Sequence, residues 1–303
     1  MNAAGDFDPP VGIAQKIGPS VQRILAPNPS PMTFRGTNTY LVGDRQLAVI
    51  DPGPLDSGHL RAILGTLRPG QQITHILVTH AHLDHSPLAA ALSRETGAKI
   101  YGYGAADAGR SAVMQRLAER GLVGGGEGLD RDFNPDIGLE DGALLDADGW
   151  QLRAHWTPGH LGNHLCFQLG QAVFTGDLVM GWASSLVSPP DGDLTDFMSS
   201  CQKLKSLGAK VFHAGHGAPI SHPAARLDWL ITHRLSRESS ILEHLRKGPA
   251  TAKDLTMQIY HDTPDALIPA ATRNVLAHLI DLHGKSRVMP AAELTAESQF
   301  LLI

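Results

Sequence analysis

Hydrophobic residues along this chain follow two spacings: short apolar runs, and stretches in which apolar residues recur every three or four positions. The short runs are rich in β-branched residues and end at Gly, Pro or Asp, which is typical of strands. Strands are predicted at residues 37–43, 46–53, 73–80 and 98–103, in several pieces between 143 and 175, and at 210–217. Helical spacing predicts helices at residues 56–67, 86–97, 104–121 and 193–207. Strands that alternate with helices in this way indicate an α/β fold.

Two segments outside these elements lack regular spacing. Residues 1–35 are rich in proline, which favours irregular structure or the edge of a sheet. Residues 121–128 read GLVGGGEG, and such a density of glycine is typical of a mobile loop or an insertion.

The C-terminal part of the chain has a different character. A long helical segment follows residue 221, and Thr251 and Asp254 form a capping-box pattern at the start of the next helix. Another helix and two short apolar runs complete the chain. Two helices followed by a strand pair are the outline of a winged helix-turn-helix. We therefore divide the chain into a main domain, residues 1–225, and a linker helix with a winged-helix domain, residues 226–303.

The composition is that of an ordinary globular protein, with 42% hydrophobic and 18% charged residues. The formal net charge of −5 gives no global positive field that would attract nucleic acid or an anionic membrane. The two cysteines are too few for a disulfide framework or a thiolate metal site. The first residues lack the pattern of a signal peptide, and no apolar run approaches the roughly 20 residues that span a bilayer. A cytoplasmic location without membrane contact is therefore predicted.

Histidine is the exception to this ordinary composition, because many of the 16 histidines lie in turns. The sequence THAHLDHS (79–86) places three histidines and an aspartate within six positions, directly after a predicted strand. Further ligand-type residues follow later strands on glycine turns, in the sequences TPGH, FTGD and HAGHG. The residues concerned are His80, His82, Asp84, His85, His160, Asp177 and His216. Strand ends can meet at one edge of a sheet, and imidazole and carboxylate together suit zinc and similar ions, so a metal site is predicted there.

The ordered motifs THAHLDH, TPGH, TGD and HAGHG, with GTNTYLV and VIDPG ahead of them, resemble the metallo-β-lactamase superfamily over about residues 35–220. The resemblance implies an αββα sandwich in which two mixed sheets face each other, helices cover the outside and the metals lie at one edge. It also implies the ligands of two metals: His80, His82 and His160 for the first, Asp84, His85 and His216 for the second, and Asp177 bridging both. Asp51 matches a position that orients a ligand imidazole. His164 matches a histidine often found near the site, which either orients a ligand or only packs.

The resemblance further implies two divalent metal ions, with zinc ahead of manganese and iron. A hydroxide that bridges two such ions can attack a carbonyl or phosphoryl centre, so the predicted reaction is hydrolysis. Asp84 is the predicted catalytic residue, because it would orient the proton of this nucleophile as well as bind a metal. Cleavage of β-lactams themselves is not expected, since the secretory signal common in such enzymes is missing.

The tail resembles the C-terminal winged-helix extension of the β-lactamase-like endoribonuclease and hydrolase group. Three functions stay open: hydrolysis of a small-molecule ester, thioester or lactone, endonuclease action on single-stranded RNA, and an interaction protein without chemistry. Residues 230–303 contain eight Lys and Arg against eight Asp and Glu, which is weak support for RNA. We therefore predict a small-molecule substrate and a tail that caps the cleft. Arg234 and Arg237 lie three positions apart, so an RNA function would use them as a basic face directed at the metal edge.

Overall fold

The structure is a computed structural model that describes residues 7–124 and 128–303. The glycine-rich loop predicted at 121–128 and the irregular segment predicted at 1–35 each lie partly outside the described residues. Within the described ranges, the protein has no helix whose length and apolar character would let it cross a membrane.

The described chain forms short strands, seven α-helices and one 3-10 turn at Asp265–Leu267. The strands are β1 (Gln15–Gly18), β2 (Val21–Leu25), β3 (Asn38–Val42), β4 (Gln46–Ile50), β5 (Gln72–Leu77), β6 (Lys99–Gly102), β7 (Ile137–Gly138), β8 (Leu144–Ala147), β9 (Trp150–Trp156), β10 (Leu165–Leu169), β11 (Ala172–Gly176), β12 (Val211–Ala214), β13 (Ala250–Thr251), β14 (Val288–Pro290) and β15 (Gln299–Leu302). The helices are α1 (Ser57–Gly65), α2 (Leu88–Thr96), α3 (Ala112–Glu119), α4 (Leu194–Ser206), α5 (Pro223–Leu245), α6 (Ala252–Ile259) and α7 (Ile268–Gly284).

Two sheets form the main domain. The first has seven strands in the order β1 to β7, antiparallel as far as β4 and parallel from β4 to β7. The second has five strands in the order β12-β11-β10-β9-β8, of which only β11 and β12 run parallel. Parallel neighbours end on the same side, so the carboxyl ends of β4 and β5, and those of β11 and β12, lead into turns at one edge.

The sheets pack face to face, and their strands show the alternation that this requires. In β9, Trp150, Leu152 and Ala154 are buried, whereas Gln151 and Arg153 point to solvent. The core between the sheets also contains Val42, Ile50, Leu77, Leu145, Leu165, Phe167 and Phe174. Helices α1 and α2 cover the outer face of the first sheet, and α4 and α5 cover the second. The predicted αββα sandwich is confirmed.

The predicted winged-helix domain is also confirmed, as α6, α7 and a three-stranded sheet of order β13-β15-β14. The Thr251 hydroxyl accepts a hydrogen bond from the Asp254 N–H, and the Asp254 carboxylate accepts one from the Thr251 N–H, so the capping box is formed. Helix α3 of the main domain contributes Met114 and Leu117 to the apolar core of this second domain. The two domains therefore share a core.

The boundary predicted at residue 225 stays a prediction, and α5 runs across it. Leu227 and Leu230 in its first half are fully buried in the main-domain core, each stabilising the contact by about 2 kcal/mol. Ile241 and Leu242 in its second half belong to the winged-helix core. The helix is thus a rigid link that fixes the tail on the main domain.

The prediction of a helix at 104–121 is wrong in its first half, because α3 begins only after Ser111. Gly109 has a left-handed backbone (φ 75°) and packs directly on the backbone of Gly162, which a helical turn could not do. The Ser111 hydroxyl then accepts a hydrogen bond from the Met114 N–H and caps the helix. The strand predicted at 73–80 also ends earlier, at Leu77.

Arg234 does not belong to an exposed basic face, which an RNA function would have needed. Arg234 is 2% exposed, and its guanidinium lies 5.0 Å from the centre of the Phe197 ring. The guanidinium of Arg237 instead lies 4.4 Å from the centre of the Tyr260 ring. Helical spacing places the two residues on one face, but it cannot tell whether that face meets solvent or the main domain.

Candidate metal centre

All seven predicted ligand residues meet at the sheet edge, in two groups. His80, His82 and His160 form the first group. His80 Nε2 lies 3.0 Å from His82 Nδ1, which in turn lies 3.1 Å from His160 Nε2. His80 and His82 come from the turn after β5, and His160 from the turn after β9, so the group spans both sheets.

The second group contains two imidazoles and two carboxylates, from Asp84, His85, Asp177 and His216. His216 Nε2 lies 3.1 Å from Asp84 Oδ2 and 3.2 Å from Asp177 Oδ2. His85 Nε2 lies 3.3 Å from His216 Nε2 and 3.5 Å from Asp177 Oδ1. Asp177 also faces the first group, because its Oδ2 lies 3.9 Å from His160 Nε2.

Asp51 orients residues of both groups through a compact set of hydrogen bonds. Its carboxylate accepts hydrogen bonds from the Thr79 N–H at 2.7 Å and the Thr79 hydroxyl at 2.8 Å. It also lies 2.9 Å from His85 Nδ1. Because the Thr79 proton is committed to Asp51, the Thr79 oxygen accepts from His80 Nδ1, which lies 2.9 Å away. Asp51 therefore sets the orientation of His85 directly and that of His80 through Thr79. The structure thus places Asp51 in contact with a predicted ligand imidazole, that of His85.

Backbone carbonyls hold two further imidazoles, those of His160 and His216, in the same manner. His160 Nδ1 donates to the Leu186 carbonyl at 2.7 Å, and His216 Nδ1 donates to the Gly36 carbonyl at 3.1 Å. In all four rings the outward nitrogen is the donor, so Nε2 directs its lone pair at the centre of the cluster when the ring is neutral. Lone pairs that face one another at close range repel unless a cation lies between them.

Burial and charge make the two groups electrostatically different. Burial holds the pKa of His80 well below its usual value and lowers the pKa of His82 to about 3, so both rings are neutral at pH 7. Burial acts in the same direction on His216, but Asp177 and Asp84 outweigh it and raise the pKa of His216 to about 10. The pKa of His85 is also raised, because Asp84, Asp177 and Asp51 outweigh its burial. In the metal-free protein the first group is uncharged and the second carries protons.

The donor set fits divalent metal ions. Asp177 Oδ1 is buried and has no hydrogen-bond donor among the residues that the structure describes, although a carboxylate oxygen seldom lacks one. Gly215 leaves room for it, because a Cβ at that position would fall against Asp177 Oδ1 and His85 Cε1. A buried carboxylate oxygen without a hydrogen-bond partner, beside imidazole nitrogens that present lone pairs when their rings are neutral, suits a cation. The cluster is therefore suited to hold metal, and the individual ligand roles of the seven residues stay predictions.

His164 lies beside the cluster without entering it. Its ring is buried, its centre is 5.2 Å from that of His80, and its Nδ1 lies 3.0 Å from the Thr157 hydroxyl. Its Nε2 has no partner within the described part of the chain. Of the two roles left open for His164, the contacts favour packing beneath His80.

Sequence reasoning missed the groups that hold the ligands from outside. The Leu186 and Gly36 carbonyls belong to the backbone, so no side-chain pattern marks them. Thr79 directly precedes His80 in the strand-like run, and nothing in the run distinguishes it from its neighbours. Thr37, whose hydroxyl donates to Asp84 Oδ2 at 3.3 Å, lies in the motif GTNTYLV, which could have drawn attention to it.

A cavity of about 250 Å³ opens onto the first group. Its wall includes His82 and His160, and its other residues are of mixed character: Val123, Gly124, Gly128, Leu129, Arg131, Leu186, Ser188 and Asp191. The wall beyond the imidazoles thus combines apolar side chains with an arginine, a serine and an aspartate. Such a mixture suits an organic molecule with one polar reacting group.

Comparison with known proteins agrees with these features. The profile of the Metallo-beta-lactamase superfamily matches residues 32–216, and that of the Beta-lactamase associated winged helix domain matches residues 251–294. A Beta-lactamase-like protein 2 homolog from Caenorhabditis elegans is 32% identical over 267 residues, covering 86% of this chain and 83% of that protein. An Atrochrysone carboxyl ACP thioesterase from Aspergillus fumigatus is 31% identical over 271 residues, covering 82% of this chain and 76% of that protein.

A crystal structure of a metallo-beta-lactamase family protein from Thermus thermophilus has the same overall architecture. It superimposes with a TM-score of 0.75 at 25% identity, covering 95% of this chain and 100% of that chain. With a family profile over more than half of its length and the ligand-type residues of its motifs gathered at one sheet edge, the chain belongs to the metallo-β-lactamase superfamily of metal-dependent hydrolases and carries the winged-helix domain associated with it.

Proposed function

We propose that the protein binds two divalent metal ions, with zinc preferred, and hydrolyses a carboxylic ester of a small molecule. Thioesters are the first candidates, followed by oxygen esters and lactones. The cavity that ends on His82 and His160 is the observation that carries this proposal, because it brings a small organic substrate against the metal edge.

The two groups of ligands supply sites of different character. His80, His82 and His160 would hold one ion with three neutral nitrogens, and imidazole favours zinc over magnesium or calcium. Asp84, His85 and His216 would hold the other, with Asp177 shared between both ions. Divalent ions at these sites would lower the pKa of water to near 7 and neutralise negative charge that develops on the substrate.

Asp84 is the more exposed of the two carboxylates in the second group. Its side chain is 25% exposed, against 9% for Asp177. Although burial alone would raise its pKa, His85 and His216 hold the pKa of Asp84 well below its usual range. Asp84 therefore stays an acceptor at neutral pH, and its second role would be to accept and orient a proton of the attacking water.

The size and lining of the cavity support a small substrate. Its volume of about 250 Å³ is below the usual range for a drug-sized ligand. Leu129 and Leu186 would contact an acyl chain or ring, while Arg131, which is exposed at the wall, would attract a negative group at the far end of the substrate. A thioester is favoured among the ester classes because a relative that is 31% identical is named as an acyl-carrier thioesterase.

Single-stranded RNA is the alternative substrate, and the arginines near the cleft give it little support. Arg131 is exposed at the cavity wall, but Arg234 is buried, Arg110 is paired with Asp191 at 2.6 Å, and Arg273 donates to the Ser188 hydroxyl. A nuclease needs several cations free to neutralise phosphates along a strand. The cytoplasmic location predicted from the sequence stays a prediction.

A substrate screen tests the proposal. We expect purified protein reconstituted with Zn²⁺ to hydrolyse thioesters of short acyl groups, and to lose this activity on chelation and regain it on addition of metal. The same preparation is assayed with aryl esters, lactones and a single-stranded RNA oligonucleotide. Metal-dependent RNA cleavage that falls steeply with salt, without turnover of any ester, would replace the proposed substrate by the alternative.

A further inference from the structure

Residues 184–188 form a segment that connects the winged-helix domain with the first group of ligands. The Leu186 carbonyl in this segment accepts the hydrogen bond from His160 Nδ1 at 2.7 Å. Leu186 and Ser188 also line the cavity. Any shift of the segment would therefore move a predicted metal ligand and the substrate wall together.

Helices α5 and α7 form hydrogen bonds with this segment on both sides of Leu186. Arg234 of α5 donates to the Ser184 carbonyl at 2.8 Å and to the Ser185 carbonyl at 2.7 Å. Asn274 of α7 accepts a hydrogen bond from the Val187 N–H at 3.0 Å. The same Asn274 oxygen accepts from Arg234 Nη1 at 2.9 Å, so the two residues that contact the segment are also hydrogen-bonded to each other.

A third contact holds the end of the segment. Arg273, the neighbour of Asn274 on α7, donates to the Ser188 hydroxyl at 3.0 Å and to the Val123 carbonyl at 3.0 Å. Val123 lies on the other wall of the cavity. Helix α7 thus contacts two sides of the opening that leads to His82 and His160.

The segment needs such support because part of it is strained. Ser185 has a φ of 62°, in the left-handed region that residues other than glycine rarely adopt. Backbone strain of this kind persists only where surrounding contacts determine it, and it is common beside functional sites. The two carbonyl contacts from Arg234 lie at this residue and its neighbour.

Burial of the Arg234 guanidinium also has a high desolvation free energy. Arg234 is 2% exposed, and no carboxylate in the described parts of the chain lies within ion-pairing distance; its guanidinium donates to neutral oxygens and lies against the Phe197 ring. Burying a cation that has no carboxylate partner costs free energy that an apolar side chain of similar volume would not. A planar group with several donors is required only if three oxygens must be held at fixed positions.

We propose that Arg234 and Asn274 are positioning residues for His160, through which the winged-helix domain completes the first metal site and its substrate wall. The proposal rests on the proposed function, because it assumes that His160 binds a metal. It gives the tail a part in the active site of its own chain, without any nucleic-acid contact.

Cobalt binding tests the proposal by a measurement other than turnover. Metal-free full-length protein is titrated with Co²⁺, and visible absorption reports the affinity and coordination of each ion; a His160→Ala variant identifies the ion of the first site. We expect Arg234→Lys and Asn274→Ala to lower the Co²⁺ affinity of the first site by about 10–100-fold and to change the absorption spectrum of that ion. The other ion should bind as in the wild type. Asn274→Asp keeps an oxygen acceptor for both donors, so it should restore near wild-type binding.

Two controls separate the possible outcomes. Arg237→Gln changes an arginine of the same helix that contacts Tyr260 and not the segment, and it should leave both ions unaffected. If Arg234→Lys does not fold, Asn274→Ala decides alone, since Asn274 is only partly buried. Folded variants that bind both Co²⁺ ions with wild-type affinity and spectrum would overturn the proposal. Failure of the wild type itself to bind an ion that depends on His160 would instead refute the proposed function.

Discussion

Replacing Asp177 by asparagine is expected to lower kcat/KM by about a thousandfold or more, without unfolding the protein. Asparagine keeps the shape of the side chain but removes the charge that faces both groups of ligands, 3.2 Å from His216 Nε2 and 3.9 Å from His160 Nε2. A loss of about 4 kcal/mol of transition-state stabilisation corresponds to a thousandfold in rate, and a metal pair supplies several kcal/mol. Steady-state kinetics on the substrate found by screening, with circular dichroism as the test of folding, measure the effect.

A matched control for this variant is Asp141→Asn. Asp141 is half-exposed and pairs with Lys203 on the surface, so its replacement should change kcat/KM by less than about twofold. Turnover of Asp177→Asn within about tenfold of the wild type, with full metal content, would show that Asp177 does not have the role assigned to it.

Replacing Asp51 by asparagine is expected to lower the metal affinity of both ligand groups. It should also lower the free energy of unfolding of the metal-free protein by about 1–3 kcal/mol. Asp51 accepts from the Thr79 N–H, from the Thr79 hydroxyl and from His85 Nδ1, and an amide cannot accept at both of its terminal atoms. Asn is the informative replacement because Asp51 has a left-handed backbone (φ 51°), which Asn tolerates and Ala does not. We expect a loss of metal affinity of about 10–100-fold.

Urea unfolding of the metal-free protein and competition with a chelator measure these two effects. Asp56→Asn is the control from the same loop. Asp56 caps α1 by accepting from the His59 N–H, and Asn is an equally good N-cap residue, so neither stability nor metal affinity should change. Equal behaviour of the Asp51 and Asp56 variants would contradict the account of how His80 and His85 are oriented.

The αββα layers and the ligand-type residues could be predicted because each depends on local sequence. Buried strands that alternate with amphipathic helices specify the layers. The ligands lie on short turns after strands, so a sheet topology with parallel neighbours brings Asp51, the turn after Leu77, Asp177 and His216 to one edge. Each of these turns has a recognisable sequence of its own.

Features that depend on pairs of distant residues could not be predicted in this way. Arg234 has the spacing of an exposed helical residue, yet it contacts the carbonyls of Ser184 and Ser185, which lie far earlier in the chain. The early part of the 104–121 segment has apolar spacing suited to a helix, but the close approach of Gly109 to Gly162 prevents one. Hydrogen bonds to the Leu186 and Gly36 carbonyls leave no trace in side-chain chemistry.

The central claim is that this edge holds two divalent ions at two different sites. In the metal-free protein the imidazoles of the first site are neutral at pH 7, and those of the second are protonated. His80, His82 and His160 have lowered pKa values and already present lone pairs at pH 7. His216, with its pKa raised to about 10, and His85, whose pKa is also raised, must lose protons before they can bind a metal. Lower pH keeps those protons in place, so the metal affinity of the second site should rise with pH up to about 10. The metal affinity of the first site should not change with pH near neutrality.

Calorimetric titration of the metal-free protein with Zn²⁺, between about pH 6 and 8 and in buffers of different ionisation enthalpy, measures both stoichiometry and proton release. The account predicts two ions per chain, one that binds without proton release and one that releases protons and gains affinity as the pH rises. Fewer than two ions per chain, or two ions whose affinities respond identically to pH, would contradict it.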